Sequence, residues 1–210
     1  MTAAQYDIQS LDADRLEPAF DLATCVFATQ STLHQALGVD LKTYRDDLRP
    51  SFTAMVSEEL SVVASDATGQ TKACLIATRY DPQSLLSAPQ TPPIKALSAA
   101  LAQQYLARHS IHKGKAVLID MAAVAQDAMG KGLYQAMRNK AHRIAYRAGF
   151  NRVLGELSST ATQHVVLNRL DHAKVAEVRF KEFRHNGAYP FADISEPKSI
   201  VLSEGNLADA

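Results

Sequence analysis

The order of apolar and polar positions predicts strands and helices that alternate along the chain. Short apolar runs bounded by turn residues are typical of strands, and apolar residues repeating every three or four positions are typical of helices. Strands are predicted over residues 6–9, 60–65, 71–80, 115–124, 152–157, 174–183 and 199–202. Helices are predicted over residues 16–27, 41–59, 94–109, 132–147 and 161–170. This alternation indicates α/β or α+β class, with mixed strands in one sheet.

Proline and glycine mark the boundaries of several of these elements. Pro50 lacks an N–H group and is expected to break or begin part of the second helix. Residues 81–93 contain four prolines and are expected to form a surface loop within one domain spanning residues 1–210. Gly149 follows the fourth helix, where a left-handed residue commonly ends a helix.

Composition excludes some classes of partner. Lysine plus arginine and aspartate plus glutamate each total 22, so the formal net charge is zero. The broad basic field of a nucleic-acid or anionic-membrane binder is therefore not expected. No apolar run approaches the ~20 residues of a membrane helix, and the N-terminus lacks a signal-peptide pattern. We expect a cytoplasmic protein without a nucleic-acid or membrane partner.

Cysteine and histidine give no indication of a metal site. Cys25 and Cys74 each lie in apolar stretches and are expected to be small buried hydrophobic residues. They form no Cys-x-x-Cys pair, and the seven histidines show no ligand spacing, so no metal is expected. Most of the histidines are expected at the surface.

Residues 117–133 are the segment most informative about chemistry, because a buried strand runs through a loop with Gly130 and Gly132 into a helix. Glycines there allow close backbone approach, and a helix N-terminus attracts anions, so the segment fits a pyrophosphate seat. A tight turn into a helix fits the same pattern. A dinucleotide fingerprint would need a glycine where Gln135 stands, and a P-loop would need serine or threonine where Gly132 stands.

The segment resembles the acyl-CoA-binding motif of the GNAT acetyltransferase superfamily, Arg/Gln-x-x-Gly-x-Gly/Ala, with Gly130 and Gly132 at the two glycine positions. The first position departs, because it holds Asp127. The order of elements downstream also fits, and residues 174–191 resemble the arylalkylamine N-acetyltransferase-like branch. The resemblance implies a mixed, mostly antiparallel twisted sheet with helices on both faces and a splayed central strand pair.

Acetyl-CoA is the co-substrate that this resemblance implies. Its pantetheine arm is expected along the strand edge formed by Met121, Ala122, Ala123 and Val124. Its pyrophosphate is expected on the N–H groups of Ala128, Met129, Gly130, Lys131, Gly132 and Leu133. Asp127 puts an anion near the phosphates, which weakens binding unless the carboxylate instead caps the helix.

The implied reaction is acetyl transfer to the primary amine of a small molecule by direct attack. An alkyl ammonium with a pKa of about 10.4 must lose a proton first. Glu156 is the leading base candidate and Asp120 the second, although a solvated carboxylate or one packed against a basic partner fits the sequence equally well. Ser158 and Thr162 fit either a proton relay or a helix cap.

The catalytic details depart from the family's pattern. Leu167 stands where the family often has a thiolate-protonating tyrosine, and residues 30–33 lack the acidic residue of the arylalkylamine branch. A non-catalytic CoA-binding, sensing or interaction module is therefore the alternative, and an unrelated nucleotide-binding protein is a third. His164 lies on the short predicted helix that, by this resemblance, is expected to face the thioester sulfur. Aromatic residues that line an acceptor pocket or simply fill the core are Phe180, Phe183, Tyr189 and Phe191. The amine remains open, as does the choice between monomer and homodimer.

Overall fold

The computed structural model describes residues 3–87, 92–109 and 115–209. Its strands are β1 (Asp7–Ser10), β2 (Val62–Ser65), β3 (Thr71–Arg79), β4 (Ala116–Val124), β5 (Arg152–Leu157), β6 (Ala173–Arg179) and β7 (Ser199–Asn206). Its α-helices are α1 (Leu16–Gln30), α2 (Thr32–Ala36), α3 (Leu41–Val56), α4 (Pro82–Leu86), α5 (Pro93–Leu106), α6 (Leu133–Arg147) and α7 (Thr160–Gln163). A π-helical segment, His164–Arg169, continues directly from α7.

The seven strands form one sheet in the order β1-β2-β3-β4-β5-β7-β6. Every neighbouring pair is antiparallel except β4 and β5, which run parallel. The mixed, mostly antiparallel sheet predicted from the sequence is therefore confirmed.

Helices cover both faces of this sheet. Helix α6 packs on one face, where Leu133 and Met137 meet the inward side chains of β2, β3 and β4. Helices α1 and α3 pack on the other face through Phe20 and Phe52, whose rings meet edge to face at 5.2 Å. Helix α5 extends that second layer over β5, β6 and β7. The helices on both faces leave the middle of β4 and β5 deep in the molecule.

A β-bulge in β4 changes which face its side chains reach. Ala77 pairs with Ile119, whereas Ile76 pairs with Met121, so Asp120 is the extra residue on β4. Ile119 consequently packs beneath α6, and Met121 packs beneath α1 on the opposite face. The bulge frees the Asp120 side chain from the regular alternation of the strand.

Two expectations about proline were wrong. Helix α3 runs without interruption from Leu41 to Val56 although it contains Pro50. Pro50 is exposed, so the carbonyl that loses its intrahelical partner can be hydrated. The proline-rich segment 81–93, expected as a loop, contains α4 and the first residue of α5, Pro93, and residues 88–91 lie outside the described part.

Several element ends also differ from the sequence prediction. Helix α5 ends at Leu106 rather than at residue 109, and β6 ends at Arg179 rather than at residue 183. Strand β7 continues to Asn206, because it pairs with both β5 and β6 along its length. Such tertiary pairing leaves little signal in a local sequence pattern.

The burial of cysteine and histidine corrects the sequence prediction. Cys74 is buried as expected, but Cys25 lies exposed on the solvent side of α1. His34, His142 and His172 are buried rather than at the surface. His112 lies outside the described residues.

Candidate functional site

Strands β4 and β5 part in the middle of the sheet. They pair only from Ala116 to Ile119 on β4, opposite Arg152 to Gly155 on β5. Beyond this point β4 continues for five residues without a neighbour on that side. A cavity of about 250 Å³ lies at the parting and is lined by residues of both strands, the α1–α2 junction, α6 and the segment after β5.

A second cavity of about 470 Å³ extends from the parting to the glycine loop before α6. Its lining includes Gly130, Gly132 and the side of β4 that lacks a neighbour. Residues shared by the linings of both cavities are Val26, Ala122, Tyr134 and Thr162. A long ligand could therefore pass from the glycine loop into the parted strands.

The glycine loop presents a row of free N–H groups. Gly130 and Gly132 have φ values of +72° and +75°, a left-handed conformation that glycine adopts without strain. Ala136 is the first residue of α6 whose N–H has a carbonyl acceptor, Gly132, at 3.1 Å. Within the described ranges, no acceptor is recorded for the six N–H groups from Gly130 to Gln135. They form an anion seat at a helix N-terminus.

Two of the expected phosphate-binding amides are already occupied. The N–H of Ala128 donates to the Ala125 carbonyl at 2.9 Å, and that of Met129 donates to the Gln126 carbonyl at 3.3 Å. The available N–H groups thus begin two residues later than predicted. Lys131 lies within the row, and its ammonium group contacts the Asp127 carbonyl and the Tyr6 hydroxyl.

Alternation along β4 determines which backbone groups face the parting. Ala125 donates its N–H to the Lys72 carbonyl at 2.8 Å, on the β3 side. Because successive residues of a strand point their N–H groups to opposite sides, Met121 and Ala123 also bond toward β3. Ala122 and Val124 then present their N–H and C=O groups to the cavity. The four-residue edge predicted from sequence therefore offers two residues.

Lys72 neutralises Asp127, the residue that departs from the family motif. The ammonium of Lys72 lies 2.7 Å from the Asp127 carboxylate, and this pair holds the pKa of Asp127 below its usual range. Asp127 does not cap α6, whose N-cap is Gly132. The extra anion near the phosphate seat is thus paired with a cation from β3.

Glu156 and Asp120 line the same cavity from the two parted strands. Removal from bulk water raises the pKa of the Glu156 carboxyl group to about 7, and the negative charge of Asp120 contributes to this rise. The Ser98 hydroxyl, which lies 2.5 Å from the carboxylate, opposes the rise. The Asp120 side chain faces the cavity and is enclosed by the surrounding protein. This enclosure removes the carboxyl group from bulk water and raises its pKa, whereas the positive charge of Lys95 lowers it. A carboxylate that titrates near neutral pH suits a general base.

Tyrosine side chains approach both carboxylates. Burial first, and then the negative charge of Glu156, raises the pKa of Tyr80, whose buried hydroxyl has no hydrogen-bond partner among the described residues. Burial and the charge of Asp120 likewise raise the pKa of Tyr44. Both tyrosines are therefore neutral near pH 7 and add no charge to the cavity.

Of the hydroxyl residues predicted after β5, Thr162 takes part in a helix cap and Ser158 does not. Ser159 caps α7 and accepts the Thr162 N–H at 3.1 Å, while the Thr162 hydroxyl donates to the Ser159 carbonyl at 3.0 Å. Thr162 therefore completes a capping box. Ser158 lines the cavity, and its hydroxyl has no partner in the part of the chain that the structure describes.

Other predicted site residues lie elsewhere. Phe180 and Phe191 are fully buried in the core beneath α5, Phe183 packs against them, and Tyr189 is exposed. None of these aromatic residues lines either cavity. His164 lines the second cavity near the glycine loop, away from the carboxylates.

Four residues at the site were not predicted from the sequence: Ser98, Tyr80, Tyr134 and Arg138. The hydrogen bond from Ser98 to Glu156 spans 58 positions of sequence. Gly155, in the middle of β5, was the available signal for Arg138, since a glycine inside a strand often marks a close approach. A Cβ there would lie 3.0 Å from a guanidinium nitrogen of Arg138.

No group of three or more His, Cys, Asp or Glu side chains in residues 3–87, 92–109 and 115–209 is arranged to hold a metal ion. Across the same ranges, no helix is long and apolar enough to cross a membrane.

Comparison with known proteins connects this geometry to solved structures. The sequence matches no family profile and no curated protein. The C-terminal condensation domain of Ebony, solved with beta-alanyl-dopamine, matches with a TM-score of 0.82 and 16% identity over 96% of this chain and 98% of that one. A mosquito arylalkylamine N-acetyltransferase like 5b matches with a TM-score of 0.80 and 18% identity over 96% and 99%. The polyamine N-acetyltransferase of Drosophila melanogaster matches with a TM-score of 0.76 and 14% identity over 96% and 99%. The chain therefore has the fold of the GNAT acetyltransferases, and within it that of the arylalkylamine N-acetyltransferase-like branch, as the sequence predicted.

Proposed function

We propose that this chain is an N-acetyltransferase that transfers the acetyl group of acetyl-CoA to the primary amine of a small molecule by direct attack. One observation carries the proposal: free amides before α6, a free β4 edge and a carboxyl group with a pKa of about 7 all line two adjoining cavities. The neighbours' names point to the same chemistry, because they are amine N-acetyltransferases.

The residues present fit acetyl-CoA. The amides from Gly130 to Gln135 would hold the pyrophosphate, and Ala122 and Val124 would hold the pantetheine arm. When bound, the co-substrate supplies an activated acetyl group. A backbone N–H aimed at the thioester oxygen is typically worth about 3–4 kcal/mol in the transition state.

Glu156 would act as the general base toward the amine. At pH 7 a carboxyl group with a pKa of about 7 is roughly half ionised, so it can accept the proton of an ammonium and release it again. Asp120, within the same cavity, would attract the cationic amine before deprotonation. Ser158 would connect the cavity to solvent as a proton relay. A cavity of about 250 Å³ limits the acceptor to a small molecule.

Thiol release tests the proposal directly. Acetyl-CoA is incubated with a panel of arylalkylamines, agmatine and polyamines, and free CoA thiol is followed with time. We expect turnover with at least one amine, and Glu156→Gln should lower kcat by about 100-fold or more while CoA affinity stays unchanged. Glu182→Gln, an exposed glutamate outside the cavity, is the matched control. Absence of CoA binding at millimolar concentration would overturn the proposal.

A non-catalytic CoA-binding module is the second candidate. Leu167 packs in an apolar cluster with Leu157 and Val166, and the cavity lining from Gln30 to Thr32 has no acidic residue. This candidate predicts protection by CoA against thermal unfolding without release of thiol from acetyl-CoA with any amine. Protection by ATP or NAD but not by CoA would instead favour an unrelated nucleotide-binding function.

A further inference from the structure

Arg138 is a buried cation without a carboxylate partner. Its side chain has no solvent exposure, and its Nη1 donates to the Tyr134 hydroxyl at 3.0 Å. Its Nε and Nη2 atoms have no hydrogen-bond partner in the described residues. Burying an unpaired charge is costly, so such a residue in a fold suggests a role that requires the charge.

The two histidines beside Arg138 carry no charge near pH 7. His142, from its own helix, and His172, packed against it, have pKa values lowered by burial to about 3 and about 4, so both are neutral at pH 7. From the sheet, Gly155 lies against the guanidinium and has no side chain to pair with it. Among the described residues, no carboxylate forms a salt bridge or a hydrogen bond with this guanidinium.

Glycine at position 155 makes room for this cation. A Cβ at Gly155 would lie 3.0 Å from Nη1 and 3.3 Å from Nη2, closer than ordinary packing allows. The guanidinium thus lies directly against β5 at Gly155, the last β5 residue that pairs with β4. Arg138 lines the cavity that contains the two carboxylates.

Tyr134 lies between Arg138 and the ligand path. It is one of four residues that line both the second cavity, which begins at the glycine loop, and the first cavity, which contains the two carboxylates. Its oxygen accepts a hydrogen bond from Arg138, so its own proton remains free to donate, and no acceptor for it is recorded in the described ranges.

We propose that Tyr134 is the proton donor to the departing sulfur of the acyl thioester and that Arg138 is its positioning residue. This inference rests on the proposed function. The amine nitrogen forms a bond to the acetyl carbon, the carbon–sulfur bond breaks, and its electron pair leaves with sulfur, which takes the Tyr134 proton. The amine proton passes to Glu156, and the phenolate recovers a proton from solvent, so the products are the amide and free thiol.

Tyr134→Phe removes the donor and keeps the ring. We expect kcat to fall about 10- to 100-fold while the KM for acetyl-CoA changes less than threefold. Tyr146→Phe on the same helix is the matched control, because Tyr146 is 54% exposed and lines neither cavity. A Tyr134→Phe enzyme with the kcat of the control would overturn the proposal.

Proton binding by CoA itself gives a readout that does not need turnover. Ultraviolet absorbance of the thiolate is followed with pH in the CoA complex of the wild type and of each variant. Donation from Tyr134 should lower the pKa of the bound thiol below that of free CoA, and Tyr134→Phe should raise it by about one unit. An unchanged thiol pKa in Tyr134→Phe would contradict the assignment even if activity fell.

Arg138 is tested through its effect on Tyr134. Arg138→Met should reproduce the change in thiol pKa, and the double variant should add nothing further. If Arg138→Met does not fold, Gly155→Ala displaces the guanidinium while keeping the charge, and it should produce the same change. Additive effects would overturn the positioning role. Failure of the proposed function is distinct, since the wild type itself would then release no thiol with any amine.

Discussion

The carboxyl group of Glu156 is subject to two neighbours of opposite influence. Its pKa is raised mainly by removal from bulk water and secondarily by the charge of Asp120. The Ser98 hydroxyl donates to the ionised form and lowers the pKa. These neighbours lie on different elements, so each can be changed without the other.

Asp120→Asn and Ser98→Ala should shift the activity profile in opposite directions. The base must be ionised, so activity rises with pH through the pKa of Glu156, which is about 7. Asp120→Asn removes a like charge and should move this acidic limb to lower pH, whereas Ser98→Ala removes a stabilising donor and should move it to higher pH. The measurement is kcat/KM for the amine against pH.

An exposed aspartate on α3 provides the control for this pair. Asp46→Asn makes the same chemical change outside the cavity and should leave the acidic limb in place. If Asp120→Asn and Ser98→Ala both moved the acidic limb of the kcat/KM profile in the same direction, the assignment of Glu156 as the titrating base would be contradicted.

At the scale of elements, the two ends of α6 use glycine in the same conformation for different purposes. Gly132 begins the helix with a φ of +75°, and Gly149 follows its last turn with a φ of +89°. A Cβ at either glycine would meet no atom within 4 Å. The space beside Gly132 is part of the second cavity, whereas Gly149 lines neither cavity.

Alanine at these two positions should separate strain from ligand exclusion. Gly132→Ala and Gly149→Ala should each cost about 1–2 kcal/mol in the free energy of unfolding, because both place a side chain in the left-handed region. Only Gly132→Ala should weaken CoA binding, by tenfold or more, because its methyl group enters the phosphate seat. Chemical denaturation and calorimetry check the two effects. Equal losses of CoA affinity in both variants would argue against a seat at this loop.

The local sequence pattern was sufficient to predict the strand–loop–helix unit, but it was insufficient to predict the residues that surround this unit. The apolar run of β4 and the paired glycines indicated where a ligand would lie, because both depend on neighbouring residues in sequence. The bulge at Asp120 depends on the register with β3, and the partners of Asp127 and Glu156 come from elements 55 and 58 positions away. Pairings over such distances have no periodicity to detect.

At the scale of the whole molecule, the sheet separates two groups of perturbed ionisable residues. Asp120 and Glu156 have raised pKa values, whereas His142 and His172 have lowered ones. The folded state therefore favours neutral forms in both groups. Between about pH 4.5 and 7 Glu156 binds more protons in the folded state, so its contribution to stability falls as pH rises, and the raised pKa of Asp120 acts in the same direction. The histidines act in the opposite direction.

The histidine pair should make the protein sensitive to acid. The two rings stack at 5.5 Å, and their pKa values in the folded state are about 3 and about 4, against about 6.5 in an unfolded chain. Below pH 6.5 the unfolded state takes up protons that the folded state does not, so stability is lost as pH falls toward 4. Each unmatched proton contributes a slope of about 1.4 kcal/mol per pH unit.

Replacing both histidines by asparagine should therefore flatten the dependence of unfolding free energy on pH between 4 and 6.5. The slope of unfolding free energy against pH should decrease by the amount that corresponds to nearly two protons. A constant loss of stability caused by the substitutions would not change this slope. His164→Asn, at an exposed histidine, should leave the slope unchanged. Denaturant unfolding at a series of pH values measures all three proteins. Parallel curves for the wild type and the double variant would mean that the two histidines have the same pKa in the folded and unfolded states, which would contradict the lowering of their pKa values by burial.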